Sequence, residues 1–206
     1  MASTASPYGL RAVNELGGLP YAGSTRQFLI DPAGYNTNIF NGSIVAINTS
    51  GYINIVTTNG DDSTPFPAGT IGVFVGCSFT NAQGQIIYSQ YYPANTASVQ
   101  GSAITAYVID DDRAVFQVQA NGTLAQTALG MNVILSAVQS TSTGSTTTGN
   151  STTAVSNSAA ATSGYAFRVV GFVDTPGFSS VGDAFTDILV KFNPGAHSYS
   201  NATGVA

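Results

Sequence analysis

Between Gly69 and Gln119 the chain is a succession of short runs: Gly69 to Phe79, Gln85 to Tyr92, Ser102 to Asp110 and Arg113 to Gln119. Each is rich in β-branched or aromatic residues and closed by Gly, Asn, Pro or Asp. Strands separated by tight turns leave this trace, so the stretch predicts an all-β fold. Within Ala114 to Gln119, Phe116 and Val118 alternate with Gln117 and Gln119. That alternation predicts one buried and one wetted face, as in an antiparallel sheet, and hence a β-sandwich or barrel-like body.

The flanking sequence adds strands to this centre. Gln27 to Ile30 reads as a first strand stopped by Asp31-Pro32. Gly42 to Asn48 and Tyr52 to Val56 read as a hairpin about Thr49-Ser50-Gly51. Asn81 to Gly84 reads as a second hairpin turn, and Gly130 to Leu135 as a further strand. Residues 27–139 are therefore expected to form the main β body. Ahead of it, Ser6 to Gly18 lacks strand alternation and ends in a glycine pair before Pro20. Residues 1–26 are expected to be an extended N-terminal arm with at most one helical turn. Its Tyr8, Leu10, Val13 and Leu16 suit a segment that orders on a partner, because apolar groups gain nothing on a free tail.

From Ser140 to Ser163 the chain is almost wholly Ser, Thr, Gly, Asn and Ala. With so little to bury, residues 140–163 are expected to be an exposed loop or linker. Beyond it, residues 164–206 carry two more strand candidates, Tyr165 to Val173 and Asp187 to Phe192. A lone strand pair is marginally stable, so these are expected to complete the body or form a small dependent lobe.

Charged residues make up 7% of the 206-residue chain, and the net charge is −5. Ordinary globular domains carry about 25% charge. No basic stripe is present to neutralise phosphates, which argues against nucleic-acid binding. A surface with little lysine to hold neighbours away suits a protein packed against others. The longest nearly apolar run, Ile71 to Phe79, is broken by glycines and far short of the roughly 20 residues of a membrane helix. The first residues lack the basic and apolar regions of a secretory signal, so the chain is expected to stay where it is made. Five Asn-x-Ser/Thr triplets, at Asn41, Asn48, Asn121, Asn150 and Asn201, then reflect the abundance of these residues rather than glycosylation.

Reactive groups are few. Cys77 is the lone cysteine, set among apolar residues, and reads as a buried structural thiol. His197 is the lone histidine, in a loop near the C-terminus, and reads as a surface or interface residue. No G-x-S-x-G elbow accompanies it, and one Cys with one His makes no zinc site. Glu15 is the only glutamate, which leaves no glutamate pair for glycoside hydrolysis. Asp110-Asp111-Asp112 is the one acidic cluster. It lacks the alternating spacing of a calcium loop, because successive side chains of an extended segment point to opposite faces. A turn between Ile109 and Ala114, with Arg113 as a pairing partner, is the expected role. No catalytic, cofactor-binding or metal-binding residue is assigned.

Several motifs together resemble small virion proteins of tailed bacteriophages. They are Ser6 to Val13 with Gly17-Gly18 and Gly23 to Arg26, then Asn38 to Val45, Gly72 to Phe79, Ala106 to Asp112 with Phe116 to Gln119, and Phe167 to Phe172. The resemblance implies a non-enzymatic cement or decoration protein of the head, bound to the major capsid protein. By this resemblance the chain self-associates as a homotrimer and sits on the outer capsid surface of the virion after synthesis in the host cytoplasm. Tyr8, Leu10, Arg11, Val13, Leu16, Tyr35 and Phe40 are the expected capsid-contact residues. The alternatives are a host-recognition head or tail-fibre module binding glycans through Tyr88, Tyr91 and Tyr92, and a polysaccharide hydrolase working through Asp110 to Asp112.

Overall fold

The computed structural model describes residues 3–99, 101–175 and 178–205. Apart from 3-10 turns at Gln126–Ala128 and Ser198–Ser200, its regular elements are strands. In chain order these are β1 (Arg11–Glu15), β2 (Arg26–Ile30), β3 (Ile44–Ile47), β4 (Ile53–Ile55), β5 (Thr70–Thr80), β6 (Ile86–Ser89), β7 (Ile104–Ile109), β8 (Ala114–Gln119), β9 (Asn132–Val133), β10 (Phe167–Phe172) and β11 (Asp187–Phe192). They form two antiparallel sheets packed together. One runs β1-β8-β11-β10-β9, the other β2-β7-β5-β3-β4, with β6 joined to β5. The all-β, antiparallel architecture predicted by the short runs is the one observed.

Strand β5 is the spine. Its first half pairs with β3 and its second half with β6 along one edge, while β7 lies along the other. Residues of β3 and β5 are apolar almost without interruption because both faces of their sheet are covered. Ile44, Ala46 and Val73 point into a core shared with Phe116, Val118, Phe167, Val190 and Phe192 of the other sheet. Val45 and Phe74 point the opposite way, into a second core with Ala106, Val108, Ile39 and Tyr92. The sheet curls until β2 comes alongside β4, closing a half-barrel around that second core. Gly72 lies between β3 and β7 at φ 137°, and any Cβ there would overlap the Ile109 carbonyl oxygen. Only glycine fits this crossing.

Three expectations are corrected. The N-terminal segment is not a free arm: Arg11 to Glu15 pairs with β8, and Gly9 and Leu10 donate backbone hydrogen bonds to Thr153 and Gly42 at 3.2 and 3.0 Å. The strand pattern was hidden because a register shift between Ala12 and Asn14 breaks its alternation. Gln119 is buried rather than wetted, its amide bonded to Ser6 N at 2.8 Å and Thr4 O at 3.2 Å. A polar side chain is tolerated inside when the backbone satisfies it.

The Ser/Thr-rich segment is likewise built into the body. Asn41 N donates to Gly149 O at 2.9 Å and Ser151 N to Asn41 O at 2.8 Å; Val155 N donates to Gln119 O at 3.0 Å. Ser151, Thr153 and Val155 are buried, and the two hydroxyls bond each other at 2.7 Å. Short hydroxyls satisfy one another locally, so this composition does not exclude an ordered interior. The C-terminal strands join the same sheet as β1, because β11 pairs with β8. Strand candidate Gly130 to Leu135 is regular only at Asn132–Val133.

Candidate interaction surfaces

The seven expected contact residues separate into three groups by burial. Leu10 and Phe40 are buried in the chain's own interior, which corrects their assignment as residues open to a partner. Leu10 sits in the core between the sheets. Phe40 stacks on Tyr91 at 5.5 Å beneath Gly144, where a Cβ would strike its ring. Tyr8, Val13 and Tyr35 are half-buried, and Arg11 and Leu16 are exposed. Tyr8 donates to Asp187 Oδ1 at 3.2 Å and lies under the Arg11 guanidinium at 4.8 Å. Burial, then the Asp187 charge, raises the Tyr8 phenol well above its ordinary value. Tyr35 is held by four hydrogen bonds: its N donates to Tyr92 OH at 2.9 Å, its OH accepts from Ile55 N at 3.3 Å, and its carbonyl accepts from Asn95 N at 2.7 Å and Tyr92 OH at 3.3 Å. Leu16 and Leu19, 42% and 62% exposed, flank the glycine turn beyond β1.

The three tyrosines of the glycan reading do not form a cluster. Tyr92 is fully buried, Tyr91 is half-buried against Phe40, and Tyr88 alone is exposed. The sequence signal for β6 is ambiguous because Ile86, Ile87 and Tyr88 are all apolar, so the outward face could not be read from it.

Around Asp110 to Asp112 the chain makes a turn, with Ala114 N donating to Asp111 O at 3.2 Å. Arg113 uses its backbone N, not its guanidinium, to reach Asp111 Oδ1 at 2.8 Å. The guanidinium that meets this cluster belongs to Arg26, whose Nε lies 2.9 Å from Asp110 Oδ2. Tyr199 OH donates to the same oxygen at 2.7 Å and accepts from Arg26 Nη1 at 2.8 Å. This knot fastens the C-terminal 3-10 turn to β2 and the β7–β8 turn. Sequence distance concealed it.

His197 is buried, not a surface residue. Its ring packs edge-on against Phe192 and Tyr199 at 5.5 and 5.2 Å. Nδ1 accepts from Tyr199 N at 3.3 Å, while Nε2 is enclosed without a hydrogen-bond partner among the described residues. Burial depresses its pKa below the usual imidazole value; the Ile71 backbone and Asp112, Asp110 and Asp111 oppose that shift without completing a bond to Nε2. Burial also pushes the Cys77 thiol up to about 12, and its Sγ reaches Tyr91 O at 3.5 Å.

Among the described residues, no three His, Cys, Asp or Glu side chains are arranged to hold a metal ion. Among the described residues, clefts of about 170 to 190 Å³ include one under Pro65 and Tyr165, one beside Leu29 and Tyr52, and one beside Pro7 and Phe185. Their walls carry no carboxylate, imidazole, amine or thiol. No protein-family model, curated protein or solved structure matches the chain.

Proposed function

We propose that this chain is a structural virion protein that cements an icosahedral head by binding across major capsid subunits. The observation that carries the reading is the exposed apolar turn beyond β1, Leu16 and Leu19, mounted on a charge-poor β body that anchors it through β8. The phage resemblance supplies the partner. Each copy buries surface on more than one subunit, so separating subunits under internal pressure also breaks those contacts, and weak individual contacts become collectively strong. A homotrimer over three-fold or quasi-three-fold junctions is the arrangement proposed, with Tyr8, Arg11, Val13, Leu16 and Tyr35 toward the shell.

Cosedimentation with empty shells tests this. Wild-type protein is expected to pellet with them, and Leu16→Asp with Leu19→Asp to weaken binding about tenfold or more by placing charge in an apolar contact. No wild-type binding, or a head reconstruction without density for this chain, would remove the reading. The glycan-binding alternative retains only Tyr88. Binding of wild type to host surface glycans, lost in Tyr88→Ala, would favour it instead.

A further inference from the structure

Among the described residues, strand β6 is hydrogen-bonded to β5 alone, so its other edge offers free backbone N–H and C=O groups. Proteins blunt such edges with charge, proline or a bulge, because an open edge is a template for another strand. Here neither a charged residue nor a proline occurs from Asn81 to Tyr92, and the β5–β6 register runs without a shift. Ile86 and Tyr88 are 67% and 75% exposed and project from one face. Tyr88 continues a row across the sheet, opposite Ser78, then Thr105, then Leu29, and no member of that row is charged.

The other described edges are closed or charged. β1 carries Arg11 and Glu15 and is bridged to Pro20; β9 is bridged to Ala160; β2 carries Arg26 and curls against β4.

We propose that β6 pairs, antiparallel and about a two-fold axis, with β6 of a second copy. Charge selects this occupant: a chain of net charge −5 opposes its own approach elsewhere, whereas this edge brings no like charges together. Register then follows from the pleat. Directly opposed residues must share a face, so the axis passes through Ile87 or through Tyr88. Centring on Ile87 sets Ile86 of each copy against Tyr88 of the other, two favourable aliphatic–aromatic cross-strand pairs. Centring on Tyr88 sets Ile86 against Gln90 and forfeits them. The Ile87 register makes one sheet through both copies, in which each row through Tyr88 continues into Ile86 and Thr80 of the other copy. On a shell it links neighbouring three-fold clusters, but it needs no shell to form.

Sedimentation equilibrium at rising concentration tests the contact. Wild type is expected to reach twice the mass of Tyr88→Lys, an exposed change that leaves the core intact. Leu29→Lys, on the same face but away from the edge, is expected to match wild type. For register, Ile86→Cys mixed with Tyr88→Cys is expected to oxidise to a crosslinked pair at least about tenfold faster than Ile86→Cys alone; the buried Cys77 stays out of the reaction. Equal masses for wild type and Tyr88→Lys up to submillimolar concentration, or equal crosslinking of the mixed and single samples, overturns the proposal. Shell binding by Tyr88→Lys separates this outcome from the fate of the cement reading.

Discussion

Protonating His197 would cost the fold twice. The charged ring is disfavoured by burial, and a proton on Nδ1 removes the acceptor that Tyr199 N uses. Its folded pKa is lowered, so the unfolded chain takes up the proton more readily. The stability it contributes is complete above the unfolded value of 6.5 and is lost as pH falls below it toward the folded value. Asp187, raised by burial, acts in the opposite sense. Between pH 7.5 and 5.5, therefore, wild type is expected to show a falling melting temperature, and His197→Gln a flatter profile, by differential scanning calorimetry. A second residue-scale test lies at Gln139, which is buried and behaves like a fragment of strand. Its Oε1 accepts from Ile44 N at 2.9 Å, and its Nε2 donates to Ile44 O and Val56 O at 3.1 and 3.0 Å. Gln139→Leu keeps the bulk but orphans Ile44 N and Val56 O, for a loss of about 2 to 5 kcal/mol in urea unfolding.

Among the elements, the Ser/Thr-rich segment separates what composition shows from what it hides. Hydrogen exchange is expected to protect the amides of Ser151 and Val155, which are bonded to Asn41 O and Gln119 O, and to leave exposed Thr146 and Thr147 fast. Uniform fast exchange from 140 to 163 would contradict the structure. Strands β2 to β8, β10 and β11 were legible because β-branched and aromatic runs end at turn residues. The β3–β4 hairpin pairs Ile47 with Ile53 about the expected glycine turn. β1 was not legible, since its bulge breaks the period. The inner role of Phe40 was not legible either, because it depends on Gly144, a hundred residues further on. Nor was the burial of His197, whose neighbours Phe192 and Ile71 come from separate strands. Local pattern reports strand content; it does not report which distant backbone will satisfy a polar side chain.

At the scale of the molecule, the two ends of the chain are stitched into the same body. Phe185 N donates to Ser3 Oγ at 2.8 Å, β1 and β11 flank β8, and the Arg26–Asp110–Tyr199 knot closes the other end. Such long-range pairing predicts folding on the millisecond to second scale or slower, against microseconds for local topologies, readable by stopped-flow tyrosine fluorescence. The geometry of β5 carries a mechanical consequence. Its two edges are held by β3, β6 and β7 along nearly its whole length, so tension applied along the strand must shear these ladders together rather than unzip them one rung at a time. In a single-molecule pulling experiment with handles at Thr80 and Ile109, which load the β5–β7 ladder from its opposite ends, rupture is expected as one abrupt high-force event, whereas handles at the directly opposed Cys77 and Ser89 should peel β6 from β5 at far lower force.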